Sequence, residues 1–179
     1  MTDAFARALA DGDLRLIPFT ETHRAGLKDA CAEDAAIWDI YPTSFAPDRF
    51  DATLDGVLAT PTRRPLTIQL GEAIVGMTGW LALGVRPGTI EIGGSYLRPA
   101  ARGTGLNARI KRLMLDHAFA HGIRRVEFRV DTRNGRSMAA VAKIGGVLEG
   151  VLRQDAVTWT GHVRDAALFS ILRDEWTAG

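Results

Sequence analysis

The sequence predicts a single α/β (α+β) domain, with a mixed central sheet of about six to seven strands and helices on both faces. Three observations carry that prediction. A length of 179 residues gives one full core and little room for a second. Hydrophobic residues at 46% and charged residues at 24% are the balance of an ordinary globular chain. Stretches alternating with a period of two are interleaved with stretches at helical spacing, and no repeat, low-complexity tract or linker divides them. The domain is therefore set at residues 13–177, with 1–12 read as a flexible lead-in.

The elements follow in order. Leu14 to Phe19 alternates as a short strand, and Pro18 suits its edge or end. Thr20 or Thr22 caps a helix through Ala25, Leu27, Ala30 and Cys31. Ala35–Tyr41 and Asp48–Leu58 read as further helical pieces around Pro42 and Pro47. Pro65–Leu70 and Ile74–Leu83 form a hairpin at Gly71-Glu72. Thr89–Leu97 is a strand interrupted by Gly93-Gly94, a pair that marks a bulge or a close backbone approach. Gly103–Ala120 is the strongest helix, with Leu106, Ile110, Leu113, Met114 and Phe119 inward. Arg124–Val130 is a strand and Ser137–Ile144 a short helix stopped by Gly145-Gly146. Val147–Trp159 and His162–Leu172 pair around Thr160-Gly161.

Composition removes several function classes. The 22 basic and 21 acidic residues give a net charge of +1, so neither nucleic acid nor an anionic membrane is expected as a partner. No apolar run reaches the ~18 residues of a membrane span, and residues 1–13 lack a signal peptide's apolar region, so a cytoplasmic location is expected. The single cysteine, Cys31, excludes an internal disulfide and a cysteine zinc cluster. His23, His117, His121 and His162 show no ligand spacing, and no metal is expected.

The stretch from Tyr96 to Asn107 carries the chemistry. Gly103 and Gly105 stand where a long helix begins, and the unpaired amides and dipole of a helix N-terminus suit a phosphate or pyrophosphate. Arg98, Arg102 and Lys111 add positive charge. The plainer alternative is a tight strand-to-helix turn and nothing more. A P-loop is excluded because no Lys-Ser or Lys-Thr follows the glycines. Gly103-x-Gly105-x-x-Ala108, with Asp131 ending the next strand, also fits a dinucleotide fingerprint and leaves an NAD(P)-binding oxidoreductase as a lesser reading.

Four further pieces, in this order and spacing, resemble the GNAT superfamily of N-acetyltransferases and its RimJ/RimL-like branch. They are Ile90–Leu97, Arg102–Asn107, Asn134–Ser137 with Lys143-Ile144-Gly145, and Glu149–Arg153. The likeness runs from Leu14 to Trp176. It implies acetyl-CoA as co-substrate, bound in a splayed V between the bulged strand 89–97 and strand 124–130. Backbone groups of Tyr96, Leu97 and Arg98 would pair with pantetheine. The amides of Arg102, Gly103, Thr104, Gly105, Leu106 and Asn107 would hold the pyrophosphate. Asn134 would bond the pantetheine arm, and Lys143 or Lys111 would reach the nucleotide end.

The resemblance also implies transfer of the acetyl group to a primary amine, a protein N-terminus or a small molecule, by direct attack in a ternary complex. A homodimer is compatible with it. Glu91 is the expected base, because the amine must lose a proton to a group titrating near working pH. Its plainer alternative is a solvated strand carboxylate. The tyrosine that relatives use to protonate the thiolate falls near Val141, and Ser137 is the replacement the branch suggests. Ala100 stands where the family motif has Gln or Arg. Those two departures support a second reading, a non-catalytic acyl-CoA-binding module. Trp38, Tyr41 and Trp80 are the expected acceptor-side residues, although aromatics at such positions are more often core.

Overall fold

The alternating stretches become eight strands in the computed structural model, which describes residues 2–176. β1 (Leu9–Asp11) and β2 (Leu14–Pro18) form a hairpin at Gly12, whose φ of +59° lies in the region glycine tolerates. α1 (Arg24–Ala32), a 3-10 segment at Ala35–Ile40 and α2 (Phe50–Leu58) follow. β3 (Arg64–Leu70) and β4 (Ala73–Arg86) make the expected hairpin, and β5 (Thr89–Leu97) returns beside β4. Then come α3 (Leu106–Ala120), β6 (Arg125–Asp131), α4 (Gly135–Lys143), β7 (Val147–Val157) and β8 (Val163–Leu172). The strand order is β1-β2-β3-β4-β5-β6-β8-β7, antiparallel throughout except for β5 and β6, which α3 connects as a parallel pair.

Cross-strand pairing sorts the core onto two faces. Trp80 and Ile92 are partners and join Ile110, Met114, Phe128 and Val141 under α3 and α4. Met77 and Tyr96 are partners on the other face, where Leu27, Cys31, Trp38, Phe45 and Phe50 cover them. No helix among the described residues is long and apolar enough to cross a membrane.

Three expectations change. The sheet has eight strands rather than six or seven, and β1 comes from the segment read as a flexible lead-in. Within that segment Phe5 is 2% exposed and meets the Trp80 ring edge-on at 5.1 Å, so Phe5 and the buried Leu9 anchor it to the core. α3 starts at Leu106 rather than Gly103, because Gly103 and Gly105 have φ of +77° and +88° and cannot continue a right-handed helix.

The splay is where the sequence put it. β5 and β6 are in register only at Thr89–Arg125, Ile90–Val126 and Glu91–Glu127. Beyond Glu91, β5 stays with β4 while β6 stays with β8, and the two parallel strands separate.

Candidate active site

The bulge lies at the start of that gap. Pairing of β4 with β5 jumps from Gly79–Gly93 to Met77–Tyr96, so Gly94 and Ser95 together oppose the single residue Thr78. Gly94 has φ of +60°, and a Cβ there would meet nothing within 4 Å, so the backbone is open to a ligand. Ser95 is held from both faces. Its carbonyl accepts from the Tyr41 hydroxyl at 2.7 Å, and its Oγ accepts from Lys111 Nζ at 2.6 Å beside Thr78 Oγ1 at 2.8 Å.

A cavity of about 520 Å³ passes through the opened sheet. Gly93, Gly94 and Ser95 of β5 form one wall and Phe128 to Asp131 of β6 the other. At one end lies the turn before α3, where the amides of Gly103, Thr104, Gly105 and Asn107 make no backbone hydrogen bond among the described residues. An added Cβ at Gly103 or Gly105 would likewise meet nothing within 4 Å. Free amides, a helix N-terminus and open space fit a pyrophosphate, as the sequence argument requires. Asn134 borders the same cavity and caps α4, its Oδ1 accepting from Ser137 N at 3.0 Å. Its carboxamide NH₂ is left for a ligand. Ser137 also lines the cavity, and Lys143 lies exposed at its rim.

Glu91 occupies the other end. Its side chain is 16% exposed, and a Cβ on Gly93 would come within 3.4 Å of its Oε1, so the carboxylate abuts the bulge. Burial pushes its pKa up, and the guanidinium of Arg129, with Nε 3.6 Å from Oε2, pulls the other way without prevailing.

Most other expected residues border the cavity but are committed to packing or to hydrogen bonds within the protein, and Arg98 faces away from it. Trp80, expected on the acceptor side, is 1% exposed and packs with Phe5 and His117 on the α3 face, opposite Glu91. Trp38 is on the acceptor face but 1% exposed, its Nε1 donating to Cys31 O at 3.2 Å and its ring stacked on Tyr96. Tyr41 lines the cavity with its hydroxyl already engaged. Arg98 faces β4: its backbone N donates to Val75 O and its Nε to Ile74 O, while Glu33 takes its Nη1. Arg102 donates Nε to Leu97 O and Nη1 to Asp34, so its side chain holds the turn, and Leu106 is core.

Lys111 corrects the sequence most. Read as a charge for the nucleotide end, it is 5% exposed behind the bulge with no carboxylate partner. Burial lowers its pKa to about 7. The signal was present, since Lys111 is in line with Leu115 and Ala118 on the buried stripe of α3. Arg129, Asp155 and Arg164 form ion pairs beside Glu91, and their meeting there has no local signal in the sequence because they come from three different strands; of the three, only Arg164, with Asp165, takes part in the family resemblance.

The described sheet thus opens at its parallel pair, β5 and β6, next to a glycine-framed helix N-terminus. Residues 13–147 match the model of the acetyltransferase (GNAT) domain, and the chain belongs to that family. A Chromobacterium violaceum protein described as a probable GNAT acetyltransferase superposes with a TM-score of 0.87 at 31% identity, covering 96% of this chain and 88% of its own. A GCN5-related N-acetyltransferase from Brucella melitensis gives 0.83 at 25%, covering 96% and 80%. The fold is shared with Mycobacterium smegmatis RimJ in complex with CoA-disulfide, at TM-score 0.83 and 21% identity, covering 96% and 90%.

Proposed function

We propose that this protein is a cytoplasmic N-acetyltransferase that moves an acetyl group from acetyl-CoA to a primary amine, a protein N-terminus or a small molecule, by direct attack in a ternary complex. The observation that supports this most is Glu91, a partly desolvated carboxylate facing the gap at the bulge, at the opposite end of one cavity from the glycine turn.

Acetyl-CoA supplies an activated thioester carbonyl. The turn at Gly103 to Asn107 holds the pyrophosphate through free amides, and the Asn134 carboxamide bonds the pantetheine arm. Glu91 takes a proton from the acceptor's ammonium, directly or through one water, and the neutral amine then attacks the thioester carbonyl. Backbone amides of the bulge at Gly94 and Ser95 would offer hydrogen bonds to the carbonyl oxygen as charge develops on it. Tyr41 and Lys111 fix that peptide from opposite faces, so the donors need no reorganisation. Ser137 offers a hydrogen bond to the departing sulfur.

The test is free CoA release from acetyl-CoA across a panel of amines and N-terminal peptides, with Glu91→Gln beside the native enzyme. Loss of a general base lowers kcat by about 10²- to 10⁴-fold. The base acts ionised, so kcat/KM rises with pH through a pKa above the usual glutamate range, and this limb disappears in Glu91→Gln. Release unchanged in Glu91→Gln removes Glu91 from the mechanism. No release with any amine overturns the reading.

A further inference from the structure

The polar side chains around Glu91 form a continuous line on the acceptor face. The register pairs Glu91 with Glu127 and Asp131 with Ala166, so Glu91, Arg129, Asp131 and Arg164 project from the same side of the sheet. Arg129 Nε lies 3.6 Å from Glu91 Oε2, and its Nη1 lies 3.4 Å from Asp155 Oδ1. Asp155 Oδ2 in turn lies 3.4 Å from Arg164 Nη2. Asp155 reaches this face from a register break in β7 between Leu152 and Ala156, where Gln154 has φ of +53°.

Arg164 is under-satisfied in this line. It is 7% exposed and borders the cavity, and its one hydrogen bond is the long contact to Asp155. Its Nε is buried with no partner among the described residues. A buried guanidinium that leaves a donor unmet carries a free-energy cost that an arriving acceptor removes. The balance of charge agrees. Arg63, Arg129 and Arg164 stand against Glu91 and Asp155, while Asp131 is neutralised by its own pair with Arg133. With Arg136, which also lines the cavity, the acceptor end holds positive charge in excess, on the residue type whose planar fork matches an oxyanion.

Resting on the acetyltransferase reading above, we infer that the acceptor is an amine carrying an oxyanion, a carboxylate or a phosphate, which docks on Arg164 while the amine faces Glu91. Arg164 is then a specificity residue, and Arg129 is the spacer between the anion subsite and the base. Polycationic amines are poor acceptors, because the same excess charge repels them and leaves Arg164 unmet.

The experiment measures kcat/KM for matched acceptors: amino acids against their carboxamides, peptides with an acidic against a neutral second residue, phosphoethanolamine against ethanolamine, and spermidine. A carboxamide's α-amine is the less basic and more often neutral, so the comparison is biased against the proposal. The expected result is at least a tenfold preference for the anionic member, expressed mainly in KM, with spermidine the weakest substrate. Carboxylate and phosphate pairs read separately which oxyanion fits. In Arg164→Gln the preference ratio collapses towards one whatever the absolute rate, and Arg164→Lys, which keeps the charge without the fork, retains part of it. Turnover with equal or greater preference for neutral or cationic amines overturns this inference and leaves the acetyltransferase intact. Absence of turnover with every acceptor overturns both.

Discussion

A lysine buried without a carboxylate partner charges the native state with the hydration its ammonium gives up, and the chain responds by lowering the pKa. Lys111 is in that position, with only Ser95 and Thr78 hydroxyls near its Nζ and a pKa lowered to about 7 by burial. The sign follows from linkage. Unfolded lysine keeps its proton to about 10.4, so between there and 7 the unfolded chain holds a proton the native chain has shed, and stability rises with pH. Cys31, pushed up to about 12 by burial, works in the opposite direction at higher pH, so the comparison belongs below about 9. Urea unfolding should show a gain of about 2 kcal/mol from pH 6.5 to 8.5. Lys111→Met should abolish that slope and be the more stable protein at pH 6.5, since Ser95 and Thr78 still bond each other at 2.8 Å. A slope that persists in Lys111→Met assigns it to another group.

Among the elements, the pair of β4 and β5 carries the tightest constraint. A Cβ on Gly76 would come 2.1 Å from the Tyr96 carbonyl oxygen and 3.0 Å from Leu97 Cα, both backbone atoms that cannot rotate away. Gly76→Ala therefore forces the strands apart at the bulge, at a cost of about 1–3 kcal/mol of stability. Thermal unfolding should show the loss, and the bulge peptide should lose part of its hold from Tyr41 and Lys111. Gly94→Ala, by contrast, strains a φ of +60° without meeting a neighbour, and should cost less stability than Gly76→Ala. These elements were largely legible. Alternation and turn glycines located the β3–β4 and β7–β8 hairpins, and Gly93-Gly94 marked the bulge, because those signals are local. The start of α3 and the strand β1 were not, because their placement is decided by left-handed glycines and by Phe5 docking on Trp80 across the fold.

Across the whole molecule the site is legible by halves. The glycine turn could be read from sequence because one contiguous loop, Arg102 to Asn107, builds it. The acceptor end could not, because Glu91, Arg129, Asp155 and Arg164 meet only once strand order and register are fixed. The same topology makes the molecule respond to its ligand. Past the three register pairs that join β5 to β6, no backbone pairing among the described residues joins the two strands, and each pairs only with its outer neighbour. A pantetheine arm laid in the gap, as proposed, would supply contacts to both, and its binding would couple to the stability of the whole sheet. Linkage gives about 2.7 kcal/mol of added stability at a ligand concentration one hundred times Kd. For a chain of this size that is a rise in Tm of roughly 5–10 °C. CoA should produce it and NAD should not, since the opening takes an extended arm between separated strands whereas a dinucleotide fold closes its turn directly on the strand. Differential scanning fluorimetry with each compound at matched concentration decides the matter: a rise with NAD alone would restore the dinucleotide reading of Gly103-x-Gly105, and a rise with neither would mean that the gap does not take CoA.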